Sequence, residues 1–316
     1  MAGIIPSGAL VHGLQLPIQS QSTLYAEGWE ATAGVDELTA IARTCDDAGF
    51  FYVAVCDHVA IPKPYDERMG TEWWDTMTTL GYLAGITSRV HLLSHVYVLP
   101  YRHPLMAAKA FLTLDSVSKG RAIMGVGAGH LEPEFALLGR SFADRGRELD
   151  EGIDVVRAAF GDEYPSYTGS RYEIANAGLR PRPYRPGGPP IWVGGSSPAA
   201  IRRAATRGDG WLPQGPPKIG LKAAIRELRA LREAAGRGDE PFDVGVNTEP
   251  VFIGKPQWDV GPHCLAGSAQ RIAERLRSYG EIGVNQLQIR FRSRSAAELT
   301  EQIEAFGRDV APLLAD

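Results

Sequence analysis

Between Ser88 and Leu138 the chain passes twice in succession from an apolar strand through a polar loop into a helix. Two consecutive units of this kind imply a parallel sheet, because parallel neighbours are joined by a crossover rather than a hairpin. The first loop holds Ser94, His95 and Val96, followed by a turn punctuated by Pro100 and Pro104. The second holds Gly125-Val126-Gly127-Ala128-Gly129-His130 and leads into an acidic segment and a further helix. In parallel α/β folds the loops after the strand C-termini build the active site, so both loops are placed on a ligand-binding edge.

The alternation extends through most of the chain. Strands are expected at 10–16, 50–55, 90–98, 122–126, 191–193, 210–212, 242–246 and 287–291. Helices are expected at 34–48, 75–87, 105–117, 144–160, 197–206, 219–235, 268–279 and 296–314, the first stopping at Gly49. Two stretches break the rhythm. Residues 57–74 are polar and Pro-rich and too long for a plain connection, and 161–190 is rich in Pro, Gly, Arg and Tyr without helical period. Eight strands mostly followed by helices indicate an α/β fold, a (β/α)8 TIM barrel with these two insertions, as a single domain over 1–316.

Composition narrows the function. With 22% charged residues and a net charge of −4, Arg interleaved with Asp and Glu along helices, neither nucleic acid nor a membrane surface is an expected partner. Cys45, Cys56 and Cys264 form no close pair, which suits a reducing cytoplasm better than a disulfide framework. No leader pattern opens the chain and no apolar run approaches the ~18 residues of a membrane span. No carboxylate and histidine spacing suggests a metal site.

The glycine loop GVGAGH (125–130) invites comparison with a dinucleotide fingerprint, but its third glycine comes one residue early and it follows a fourth strand. A tight turn without ligand is the plainer account. The second glycine loop, PIWVGGSSPAA (190–200), sets Gly194, Gly195, Ser196 and Ser197 between a strand and a helix N-terminus, where free N–H groups and the helix dipole favour phosphate.

FFYVAVCDH (50–58), PYRHP (100–104), GRAIMGVGAGHLEPE (120–134) and PPIWVGGSSPAAIRRAATRGDGWL (189–212) together resemble the bacterial luciferase-like flavoproteins, specifically their coenzyme F420-dependent oxidoreductase branch. The resemblance covers roughly residues 10 to 310. It implies a TIM barrel that binds F420, or alternatively FMN, at its C-terminal face, with the phosphate under the seventh-strand region at Gly194, Gly195 and Ser196. Ser94, His95 and Val96 match the third-strand bulge, where a non-prolyl cis peptide between His95 and Val96 supports the ring from behind. Ala128, Gly129 and His130 match the loop at the ring edge. Asp57 and His58 match the Asp-His pair near the reactive face. Some F420-dependent sugar-phosphate dehydrogenases carry Glu where this chain has His130, which weakens any inference to their substrate.

These matches give hydride transfer between F420 and a small organic substrate as the expected activity. Asp57, His58 and His130 are the candidate catalytic residues, Asp57 accepting from one His58 ring nitrogen to fix its tautomer. A strand-capping histidine is the bland alternative for His58. Trp73, Trp74 and Arg290 are candidate substrate contacts; an apolar plug is the alternative for a tryptophan and a rim ion pair for the arginine. The rival functions are an FMN-dependent monooxygenase fed by a separate flavin reductase, a non-catalytic flavin-binding relative, and, last, an unrelated phosphate-binding barrel. A homodimer is the expected assembly.

Overall fold

The computed structural model describes residues 3–22 and 25–315. Its centre is a closed barrel of eight parallel strands: β1 (Val11–Gln15), β2 (Tyr52–Val55), β3 (His91–Ser94), β4 (Ala122–Gly127), β5 (Ile191–Gly194), β6 (Gly210–Leu212), β7 (Asp243–Asn247) and β8 (Gln286–Ile289). Each strand pairs with its successor, β3 pairs with β4, and β8 returns to β1 with Val11 opposite Gln286, so the sheet has no free edge. One helix follows each strand: α1 (Val35–Asp47), α2 (Thr76–Ile86), α3 (Pro104–Val117), α4 (Arg145–Gly161), α5 (Pro198–Arg207), α6 (Leu221–Ala234), α7 (Ala269–Gly280) and α8 (Ala296–Ala305). The expected (β/α)8 barrel is therefore the fold.

Local chemistry sets these boundaries. Glu37 accepts from the Gly34 N–H at 2.8 Å to open α1, and Gly49, at φ +78°, carries the chain out of it. Ser197, Ser268 and Ser295 cap α5, α7 and α8 through their hydroxyls. The strands obey the two-residue period: Val53 and Val55 of β2 join the layer beneath the helices, while Tyr52 and Ala54 join Leu93, Ile123 and Trp192 inside the barrel.

Several elements differ from the sequence expectation. The strand expected over 90–98 breaks after Ser94: the His95–Val96 peptide is cis, and Tyr97–Val98 pairs with the end of β4 instead. The helix expected over 296–314 is regular only to Ala305, then continues as a π turn (Phe306–Val310) and a 3-10 turn (Ala311–Leu314). That change of pitch accompanies the burial of Phe306 against Phe50, Phe291 and His12. Short helices occupy Asp66–Met69 and Glu132–Leu137, and a hairpin of Tyr167–Thr168 with Glu173–Ile174 sits in the 161–190 insertion. A parallel pair, Val251–Ile253 with Leu265–Gly267, lies between β7 and α7. The Gly194 loop follows the fifth barrel strand, not the seventh, since β6, β7 and β8 come after it in order.

The break in β3 explains glycines that look like ligand-binding residues in the sequence. The interior register of β4 runs from Ile123 to Gly125 and Gly127, and that of β5 from Trp192 to Gly194. A Cβ on Gly127 would lie 2.5 Å from Val96 Cγ2, one on Gly194 2.4 Å from Val96 Cγ1, and one on Gly125 1.9 Å from the Ser94 carbonyl oxygen. The displaced chain at Ser94 to Val96 fills the space that side chains would take at these positions.

Gly194→Ala is therefore expected to destabilise by about 1–3 kcal/mol through overpacking. Combined with Val96→Ala, which removes the clashing methyls, it should cost less than the sum of the two single changes by at least about 0.5 kcal/mol. Urea unfolding of the four chains measures this, and strict additivity would place the crowding elsewhere.

Candidate active site

At the C-terminal face, the end of β2 delivers His58 onto a carboxylate the sequence reading left unassigned. Glu134, from the short helix 132–137, is fully buried and lies 2.7 Å from His58 Nδ1 through Oε2. Tyr101 donates to the same oxygen at 2.7 Å, and the Val59 and Ala60 N–H groups donate to Oε1 at 2.6 and 3.2 Å. Burial works to raise the Glu134 pKa, but the bonds from His58, Val59 and Tyr101 outweigh it and hold the carboxyl below its usual value. An ionised Glu134 makes His58 Nδ1 the donor and turns Nε2 to the other side of the ring. Trp73 stands edge-on to that ring at 4.4 Å between centroids, and His130 at 5.5 Å.

Asp57 does not serve His58. Its buried carboxylate takes both arms of Arg102, at 2.6 and 2.7 Å, with the Val98 N–H at 2.7 Å and the Thr76 hydroxyl at 3.1 Å. The expected Asp57–His58 pair is replaced by Asp57–Arg102 and Glu134–His58, because adjacent residues at a strand end point to opposite sides of the backbone. Asp57 thus ties the end of β2 to the segment following the break in β3.

The floor of the site is neutral. His95 is buried, with Nε2 3.3 Å from the Leu212 carbonyl and Nδ1 without a hydrogen-bond partner among the described residues. Burial lowers its pKa to about 4, so it is uncharged near pH 7 and is no proton donor of the imidazolium kind. Gln288 donates to Gln15 at 3.1 Å, the Gln214 amide lies 3.5 Å from the His95 carbonyl, and Asn247 Oδ1 is buried without a hydrogen-bond partner among the described residues. Ser94 is fully enclosed and its hydroxyl donates to the Gly125 carbonyl at 2.8 Å. Val96 remains partly open, resting against Gly127 and Gly194.

The remaining candidates divide between site and scaffold. Ala128, Gly129 and the exposed His130 lead from β4 toward Glu134, and desolvation followed by the nearby His58 lowers the His130 pKa. Gly195, at φ +92°, turns the chain from β5 into α5, and its carbonyl accepts from Trp211 Nε1 at 2.9 Å. Ser196 lies in that turn, while the Ser197 hydroxyl is committed to the Ala200 N–H. Trp74 packs against the main core and donates to Glu72, which is the plug role. Arg290 follows β8 with its guanidinium over the Tyr25 ring, whereas Arg292 makes the rim ion pair, with Glu27 at 2.8 Å. Glu134, Tyr101 and Arg102 were missed by sequence reasoning. PYRHP and the acidic segment after His130 contain all three, but nothing in the sequence signals that a residue 76 positions beyond His58 meets it.

Glu134→Gln should set an amide N–H₂ against at least one of four donors and cost about 3 kcal/mol in urea unfolding at pH 7. Because the folded pKa is depressed, the wild-type advantage is complete above the ordinary carboxylate range and drains away as pH falls through it. Repeating the measurement near pH ~3.5 should shrink the difference; a gap unchanged from pH 7 would mean that Glu134 is not ionised.

No helix among the described residues is long and apolar enough to cross a membrane. Known proteins bear on this geometry. The F420-dependent hydroxymycolic acid dehydrogenase of Mycobacterium tuberculosis is 30% identical over 217 residues, spanning 68% of this chain and 58% of that protein. A monooxygenase from Streptomyces bottropensis has a similar structure, with a TM-score of 0.78 at 19% identity over 96% of this chain and 99% of that one. An F420-dependent secondary alcohol dehydrogenase gives 0.77 at 18% identity over 98% and 100% of the two chains. These two likenesses concern the fold. A family model described as luciferase-like monooxygenase matches residues 12–260, from β1 past β7 and through His58, Val96, Glu134 and Gly195, and the chain accordingly belongs to that family.

Proposed function

We propose that this protein is an oxidoreductase transferring hydride between coenzyme F420 and a small organic substrate, with His58 as the acid or base. The observation that carries the proposal is the His58–Glu134 pair: an enclosed imidazole held by a buried carboxylate, with Nε2 turned away from the partner. Fixing one ring nitrogen holds the ring in one orientation and one tautomer, as proton transfer at a defined atom requires. Tyr101 and the two N–H groups keep Glu134 from needing the proton itself.

The residues at the face suit a flat, polar-edged cofactor. Val96 offers an apolar shelf, and the unpartnered His95 Nδ1 and Asn247 Oδ1 are neutral groups that a ring edge would complete. Gly195 and Ser196, ahead of the α5 N-terminus, would receive the phosphate, with Ser197 acting as cap rather than ligand. Ala128 and Gly129 would border the ring. When bound, F420 supplies a carbon centre that gives or takes hydride and reacts poorly with oxygen. His58 would hold or accept the substrate proton, and Trp73 would wall the pocket beside it and exclude water. The named activity of the Mycobacterium tuberculosis relative supports this cofactor.

The second reading is FMN-dependent monooxygenation with reduced flavin supplied by a separate reductase. The description of the family and the similarity in fold to a monooxygenase favour it.

Titrating the pure protein with F420 and with FMN, followed by absorption and fluorescence, separates the two readings; tight FMN binding with no F420 response would reverse the choice. With F420 bound, His58→Ala should lower turnover per folded molecule by at least about 100-fold while leaving cofactor affinity nearly intact. A loss of thermal stability without a loss of rate would make His58 a structural residue. Gly195→Asp should weaken cofactor binding by several kcal/mol by placing charge and bulk against the phosphate, and unaltered binding would put the phosphate elsewhere.

A further inference from the structure

We infer that the pocket takes an anionic substrate, a molecule carrying a carboxylate or phosphate group, and that Arg290 receives that group. This deepens the function proposed above and rests on it for the word substrate. Arg290 is the first residue after β8, and its carbonyl accepts from the Val251 N–H at 2.7 Å, so the backbone that carries it is anchored at the C-terminal face. Its Nε is buried and has no hydrogen-bond acceptor among the described residues. Its guanidinium lies over the ring of Tyr25, 5.3 Å from the centroid, a contact that does not use the in-plane N–H donors.

The nearby charges do not balance. Glu27 lies in an ion pair with Arg292 at 2.8 Å and attracts Arg290 as well, so two arginines share one carboxylate whose Oε1 is not in hydrogen-bonding geometry, while Glu30 accepts from the Ile18 N–H at 2.8 Å and the Glu27 N–H at 2.7 Å. A partly buried cation without a hydrogen-bonded counter-ion is costly, and the planar fork of arginine matches a carboxylate or phosphate with two parallel bonds. Desolvation lowers the Arg290 pKa, with Glu27 offsetting it only in part; an arginine still keeps its charge near pH 7, in a place where burial disfavours it. An anion arriving in the pocket would supply what the fold leaves out.

The anion has two possible sources, the substrate or the acidic tail of the cofactor, and their positions favour the first. The phosphate turn follows β5, while Arg290 follows β8, three strands further round the barrel. Between them the face presents Gln214, Asn247 and Gln288, all uncharged.

The test uses inorganic phosphate and benzoate as probes, titrated by calorimetry into the wild-type protein with and without saturating F420, sodium chloride serving as the control at matched ionic strength. Saturable binding of at least one probe is expected, retained with F420 bound. Arg290→Gln should weaken it at least about tenfold, the loss of a charge-assisted bond, and Arg290→Lys should keep part of it. F420 affinity should change less than about threefold in both variants, and thermal melts confirm that both are folded. Failure of both probes to exceed the chloride control, or equal binding in Arg290→Gln, overturns the inference. Loss of F420 affinity in Arg290→Gln together with competition between F420 and the probes also overturns it, by assigning Arg290 to the cofactor's tail. A wild-type protein that ignores F420 but binds the probes through Arg290 would refute the proposed cofactor and leave the anion site standing.

Discussion

The upper half of the barrel depends on the packing of one side chain. Val96 occupies the interior positions that β4 and β5 leave open at Gly127 and Gly194, and its methyls lie closer to those glycines than any Cβ would permit. Close packing of this kind makes the three segments interdependent, since none can move without opening a void or creating a clash. The end of β2 is tied into the same arrangement, because Asp57 receives both Arg102 and the Val98 N–H just beyond the displaced residues. Four strand ends are thus fixed relative to one another before any ligand contact is considered, and the loops that rise from them inherit that placement.

On this platform His58 is held by a loop and not by its own neighbour. His58 and Asp57 leave the strand in opposite directions, and the histidine is captured by Glu134 across the gap between the β2 and β4 loops. A carboxylate with no solvent exposure is tolerable only when its lone pairs are satisfied, and four donors satisfy them here. The same bonds anchor the start of the 57–74 insertion and the helix 132–137. Positioning of the histidine and closure of this side of the pocket are therefore one structural event.

The barrel was legible because its signals are local. Strand runs such as FFYVAV, helix caps such as Ser197 and Ser268, and the stop at Gly49 are read within a few residues. The helices 66–69 and 132–137 were not, since four to six residues cannot show a helical period. The paired strands 251–253 and 265–267 are three residues each and likewise show no alternation. The glycine loops carry a packing constraint that the sequence does not display: Gly127 and Gly194 leave room for Val96, which comes from a different strand. Glu134 was hidden for a different reason, its partner lying 76 residues away. Trp73 and Trp74 show how fine the division is, adjacent half-buried residues of which one stands against His58 and the other packs against the main core.

The distribution of charge across the face follows from the chemistry it would hold. Hydride transfer moves two electrons and a nucleus together, so charge changes within the flat ring and the substrate, and fixed ions beneath the ring would bias one redox state by several kcal/mol at low dielectric. The floor avoids them: His95 is neutral, and Gln15, Gln288 and Asn247 offer dipoles only. The ionised groups stand to the side. Glu134 faces His58 and is shielded by its donors, and Arg290 stands at the β8 edge over the Tyr25 ring, its Nε without a hydrogen-bond acceptor among the described residues. Under the proposed function, a neutral floor with charged walls would let the walls choose and orient the substrate while the potential beneath a bound ring would be set by dipoles alone. Under that function, exchanging a wall residue should alter which molecules are accepted before it alters the ease of hydride transfer itself, whereas exchanging His95 or Asn247 would act on the ring directly.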